Sequence, residues 1–160
     1  MSKYNQQYLD WKTGKTSGYD WVDCLNFILI TNAEATDGAL SHEELNKIRE
    51  INEITFSHWV GGEGMPYLPK EPDAKLEVAL KWYFSIVNNS PKDQIQSQIN
   101  KEFIKTINFM KSQPWFNPTF AKSIINWLVE IAESDGNVIA EEKGSINSLA
   151  EFFDVKKPFK

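Results

Sequence analysis

Two stretches of this chain, 98 residues apart, are written in one pattern. The first runs from Phe27 through Thr36-Asp37-Gly38-Ala39-Leu40 to Glu43-Glu44, the second from Ile125 through Ser134-Asp135-Gly136-Asn137-Val138 to Glu141-Glu142. No gap is needed to superpose them. Phe27 falls on Ile125, Ile30 on Leu128, Leu40 on Val138, Ile48 on Ile146 and Ile51 on Leu149. An apolar helix, an Asp-Gly turn and an acidic helix start therefore occur in both halves. Two copies describe a duplicated unit, not a solenoid, which needs at least three stacked repeats. The units span about residues 19–59 and 118–154 of what reads as a single domain over 1–160.

The rest of the chain is compatible with that constraint. Apolar residues recur every three or four positions, and sustained alternation is absent, so the fold class is all-α, a bundle of six to seven helices. A first strong helix is expected from Tyr19 to Ala35, with Trp21, Leu25, Ile28 and Leu29 on one face. A short helix around Tyr4 to Trp11 is a further option. Ser41-His42-Glu43-Glu44 reads as a capping box opening a second helix, whose inner face carries Leu45, Ile48, Ile51, Ile54 and Thr55. In the second copy the cap position is read as Ala140, which offers no hydroxyl, yet Glu142 is retained. Three glycines and two prolines within 61–69 exclude regular helix there, and the segment reads as a connector. Helices are then expected from Glu71 to Val87, through Ile95, Ile99, Phe103, Ile107 and Met110, to about Ser134 with Pro118 in the preceding turn or the first helical turn, and from Ala140 to Phe153.

Composition narrows the function. With 22 acidic against 17 basic residues the net charge is −5, the wrong sign for a nucleic-acid backbone and a better match to a cation or a basic protein. One cysteine, Cys24, excludes an intrachain disulfide and a multi-cysteine metal site, and in its apolar setting it reads as a buried small hydrophobe. The polar stretch Met1–Lys12 lacks the apolar core of a secretory signal, and the longest apolar run, Phe27–Ile30, is too short for a bilayer, so the expected setting is cytoplasmic. His42 and His58, sixteen residues apart, match no zinc spacing and read as helix-end residues. No nucleophile elbow, phosphate loop or metalloprotease helix is present, and a non-enzymatic protein is expected. Trp82, Trp115 and Trp127 read as core, while Pro114-Trp115-Phe116 is equally compatible with an exposed partner patch.

The Asp-Gly unit has two readings. As punctuation, the glycine ends one helix in the left-handed region and the glutamates complement the dipole of the next. As a binding unit, Asp37 with Glu44 and Asp135 with Glu142, seven apart in both copies, converge on an oxygen-lined spot that suits Ca²⁺, Mg²⁺ or Mn²⁺ more than Zn²⁺. Glu34 and Glu133 are weaker candidates, since they match only with a one-residue slip. An EF-hand is excluded, because glycine directly follows the aspartate and Ala39, Leu40 and Val138 stand where ligands are needed.

These two stretches resemble the tellurite-resistance TerB-like domain: helix, small residue, Asp-Gly, any residue, an apolar residue, then Glu in the next helix. Thr36 and Ser134 replace the usual alanine, and the 60–72 segment and the aromatic C-terminal half have no counterpart in the family pattern. The resemblance implies an all-α bundle of duplicated helical units in which Asp37, Glu44, Asp135 and Glu142 bind a divalent cation. It also implies a role in tellurite resistance and stress response, with membrane-associated complexes as a setting. The alternative is a helical protein-protein interaction scaffold whose acids only cap helices.

Overall fold

The computed structural model describes residues 19–37, 40–59, 68–69, 71–134, 136 and 138–160, with the backbone alone of 34–37 and 73. The option of a helix at Tyr4–Trp11 and the connector at 61–67 lie outside the described residues. Among the described residues six α-helices are present: α1 (Trp21–Asp37), α2 (His42–Ser57), α3 (Lys75–Asn89), α4 (Ile95–Lys111), α5 (Pro118–Glu133) and α6 (Ala140–Phe152). Two 3₁₀ turns, Pro72–Ala74 and Lys92–Gln94, lead into α3 and α4, and no strand occurs among the described residues. None of these helices is long and apolar enough to cross a membrane.

The boundaries have local causes. Ser41 caps α2 and Asn117 caps α5, the latter accepting from the Phe120 amide at 2.8 Å. Pro118 occupies the first turn of α5, where no N–H is required. Gly136 lies at φ 85°, and its amide bonds the Glu133 carbonyl at 2.9 Å, so the left-handed stop expected after α5 is present.

Helix α1 is the axis of the molecule and packs against all five other helices. Every residue from Trp21 to Ala33 is buried. The expectation of a single inner face is corrected here, because a helix surrounded on all sides has no solvent face to keep polar. Its N-terminal end holds an aromatic cluster: the Trp21 ring meets Phe56, Trp59, Trp115 and Phe120 at centroid separations of 5.0 to 6.1 Å. Trp115 is thereby 2% exposed and belongs to the core, while Phe116 is half-buried against it and Pro114 is exposed, so Trp115 itself offers no surface patch. Trp82 stacks at 4.0 Å on both Tyr19 and Phe27, which fixes α3 across α1.

Inner faces elsewhere follow the expected spacing with one exception. Ile54 is 58% exposed, and Asn52 and Phe56 point inward instead. Two steps of three residues from Ile48 lag the helical turn by about 120°, which carries position 54 off the buried face.

The two sequence copies fall on α1–α2 and on α5–α6, and each first helix packs on the other copy's second helix, α1 on α6 and α2 on α5. The five apolar pairs matched in sequence agree in burial throughout: Phe27/Ile125, Ile30/Leu128, Ile48/Ile146 and Ile51/Leu149 are buried, and Leu40/Val138 half-buried. Between the copies, α3 and α4 form a hairpin-like pair laid against α1.

Candidate functional site

A helix start leaves its first amides without backbone acceptors, and among the described residues that need is met with carboxylates three times. At α2 the box is complete: the Glu44 amide donates to Ser41 Oγ at 3.1 Å and the Ser41 amide to Glu44 Oε1 at 3.0 Å. At α6 only half exists, the Ile139 amide donating to Glu142 Oε1 at 3.2 Å, since an isoleucine side chain accepts nothing. The cap is therefore Ile139, one residue before Ala140, and Glu142 caps the backbone unaided. Both carboxylates are out of solvent, Glu44 at 1% and Glu142 at 4% exposure. A buried carboxylate is tolerated only when it is bonded, and neither one is free beyond its cap bond.

The remaining residues of the expected metal set lie differently. Asp37 closes α1, but its side chain lies outside the described residues, as does that of Glu34. Asp135 lies wholly outside them. Glu133 is exposed at the end of α5. Among the described residues no three or more His, Cys, Asp or Glu side chains are grouped as metal ligands. Glu44 and Glu142 are thus placed at matched positions in the two helix starts. The flanks of the two turns also share one cleft of about 490 Å³, which Glu43 enters from the start of α2 and Glu133 and Ser134 from the end of α5.

The third carboxylate start was not read from the sequence. At α1 the amides of Val22 and Asp23 donate to Asp20 Oδ1 at 3.0 Å, and the Asp20 amide donates back to Asp23 Oδ2 at 3.0 Å. The signal was present as Asp-x-x-Asp ahead of an apolar run. Lys75 from α3 closes this box, with Nζ 2.9 Å from Asp20 Oδ2 and 3.5 Å from Asp23 Oδ2. Burial, followed by the charge of Asp20, pushes the Asp23 carboxyl up from 3.8 to about 7. Burial opposes the charge on Lys75, yet the hydrogen bond to Asp20 and the charges of both aspartates outweigh it and hold the ammonium above its ordinary value. Asp23 Oδ1 is buried without a hydrogen-bond partner.

The residues considered for catalysis are dispersed. Cys24 is fully buried in α1, and burial, with Asp23 and Asp20 adding to it, pushes its thiol well up, which suppresses the thiolate. His42 and His58 are exposed at opposite ends of α2. Comparison of the chain with protein-family models, with curated proteins and with solved structures gives no match.

Proposed function

We propose that this chain is a non-enzymatic helical binding protein of the TerB-like kind, holding a divalent cation at its duplicated acidic turns. The observation that carries the reading is the burial of Glu44 and Glu142, at matched positions seven residues after Asp37 and Asp135. A glutamate in the first turn of a surface helix caps its amide equally well from solvent. Withdrawing it from water in both copies suits a carboxylate turned toward a shared oxygen-rich turn. Hard oxygen donors of this kind favour Ca²⁺, Mg²⁺ or Mn²⁺ over Zn²⁺. In this reading Asp37 and Asp135 are the primary ligands and Glu44 and Glu142 complete the shell, at two related places or at one shared between the turns. A cytoplasmic setting and a part in tellurite or stress response belong to the same proposal.

Calorimetric titration of chelator-treated protein with each ion tests it. Saturable heat for Ca²⁺, Mg²⁺ or Mn²⁺ is expected, and its loss in Asp37→Asn/Asp135→Asn with the helical signal intact. Absence of heat for every ion sinks the proposal. It would leave the second reading, an interaction scaffold, which is favoured by the cap bonds that already employ Glu44 and Glu142. A scaffold binds its partner equally well in chelator.

A further inference from the structure

The duplication sets an internal standard, and one side of the molecule departs from it. Helices α1 and α5 occupy equivalent places, yet α3 and α4 pack on α1, while the principal neighbours of α5 are α1, α2 and α6. Cys24, Ile28 and Asn32 of α1 are accordingly buried, whereas their counterparts Lys122, Asn126 and Glu130 are exposed. The two cross-copy seams also differ. Between α1 and α6 the Ser145 hydroxyl bonds Asn32 Oδ1 at 2.6 Å. The same two positions between α2 and α5 are Lys47 and Glu130, and Lys47 turns to Glu50 of its own helix at 3.6 Å. Gly144 and Ser148 on the latched side correspond to Asn46 and Glu50 on the unlatched side.

A groove results along α2 and α5. Its upper part carries Glu43 and Glu50 from α2 and Glu130 and Glu133 from α5, with Lys47 the one basic side chain among its described lining. Among the described residues no ion pair reaches Glu43, Glu130 or Glu133. Its lower part is floored by Ile51, Ile54 and Trp127, Ile54 being 58% exposed and Trp127 half-buried. Four carboxylates facing one ammonium favour a positively charged occupant, and the floor favours an apolar side chain on the same occupant. A second copy docking face to face about a two-fold axis would set acid against acid.

We infer that the α2–α5 groove docks a basic amphipathic helix of a protein partner. Lys or Arg side chains of that helix meet Glu43, Glu50, Glu130 and Glu133, and an apolar side chain one or two turns along covers Ile54 and Trp127. The inference is independent of the cation reading, because Asp37, Glu44, Asp135 and Glu142 take no part in it.

The test uses an eighteen-residue helical Leu/Lys peptide titrated into the full chain by calorimetry, with amide NMR shifts locating the contact. Saturable binding is expected, with shifts along α2 and α5. Glu50→Gln/Glu130→Gln should weaken it at least tenfold, and so should Ile54→Ser. Oligolysine of equal length should bind at least tenfold more weakly, for want of apolar side chains. All three positions are exposed or at the groove rim, and circular dichroism checks that the fold is kept. Glu50→Lys/Glu130→Lys should gain binding to a Leu/Glu peptide, a readout that damage to the fold cannot mimic. No binding, equal binding of oligolysine, indifference to the groove variants or shifts elsewhere would overturn the inference. So would self-association abolished by Ile54→Ser, which would assign the groove to a second copy.

Discussion

Asn26 and Asn52 exchange side-chain hydrogen bonds of 2.9 and 2.8 Å inside the first copy, and Asn52 also donates to the Ile48 carbonyl at 2.8 Å. In the second copy the same two positions are Ile124 and Ala150, both buried. One architecture has thus been filled once with a polar pair and once with an apolar pair of similar bulk. Removing one member of a buried hydrogen-bonded pair strands the other, whereas replacing both does not. Asn26→Ile and Asn52→Ala should each cost about 2 kcal/mol, and the double variant should return to within about 1 kcal/mol of the wild type. Urea unfolding of the four proteins measures this, and additive losses would contradict it. Asp23 ties stability to pH. Its folded value, about 7, lies above its ordinary 3.8, so the native state holds the extra proton. The stabilisation from that proton is complete below about 3.8 and is lost as the pH rises through about 7. Asp23→Asn should therefore flatten the fall in stability between pH 4 and pH 7, and should raise the urea midpoint relative to wild type at pH 8. An unchanged pH profile would show that the carboxylate is better solvated than its burial implies. Neither feature was legible in the sequence. An asparagine on a helix gives no sign of facing its partner 26 residues on, and an aspartate in a first turn reads as solvated.

The elements themselves were largely legible, because their ends are written in residues with a single structural use. Ser41 with Glu44, Pro72, Pro118 and Gly136 mark boundaries that the structure reproduces to within a few residues. Gly136 supports a direct prediction. It sits at φ 85°, and a Cβ there would meet nothing within 4 Å, so Gly136→Ala is strained by the backbone alone. A loss of about 1–2 kcal/mol is expected, visible as a lower thermal midpoint with unchanged helix content. A neutral outcome would mean that the turn after α5 relaxes freely. Facing was harder to read than extent. Ile54 continues an apolar three-step from Ile48 and Ile51, yet three-steps drift around a helix, and tertiary contacts chose Asn52 and Phe56. Trp21, Leu25, Ile28 and Leu29 fit one stripe of α1, so the sequence alone describes a one-sided helix. Its second and third faces are covered only once α3 and α4 fold back on it, which no local pattern reports.

Across the whole molecule, two equivalent helix pairs cross-pack, and a third pair, α3 and α4, covers one copy but not the other. The duplication was plain in the sequence, and so were the acids it repeats. The asymmetry was not, because it depends on where the intervening pair docks. It leaves α1 with buried polar residues to satisfy, hence the Asp20–Asp23–Lys75 clasp, and leaves α5 with an open flank. The cation proposed at the duplicated turns acts on the whole fold, since an ion held by the folded turns stabilises all of it. An ion that binds only the native state at one hundred times its dissociation constant adds about 2.7 kcal/mol. The most direct measurement is urea unfolding of chelator-treated protein with and without excess Ca²⁺, Mg²⁺ or Mn²⁺, for the wild type, Asp37→Asn, Asp135→Asn and the double variant. The account requires a gain of about that size in the wild type and none in the double variant. Partial gains in both single variants would mean two separate sites, and loss in either one a shared site. An unfolding free energy unchanged by every ion would contradict the claim and leave the repeated acids as helix caps.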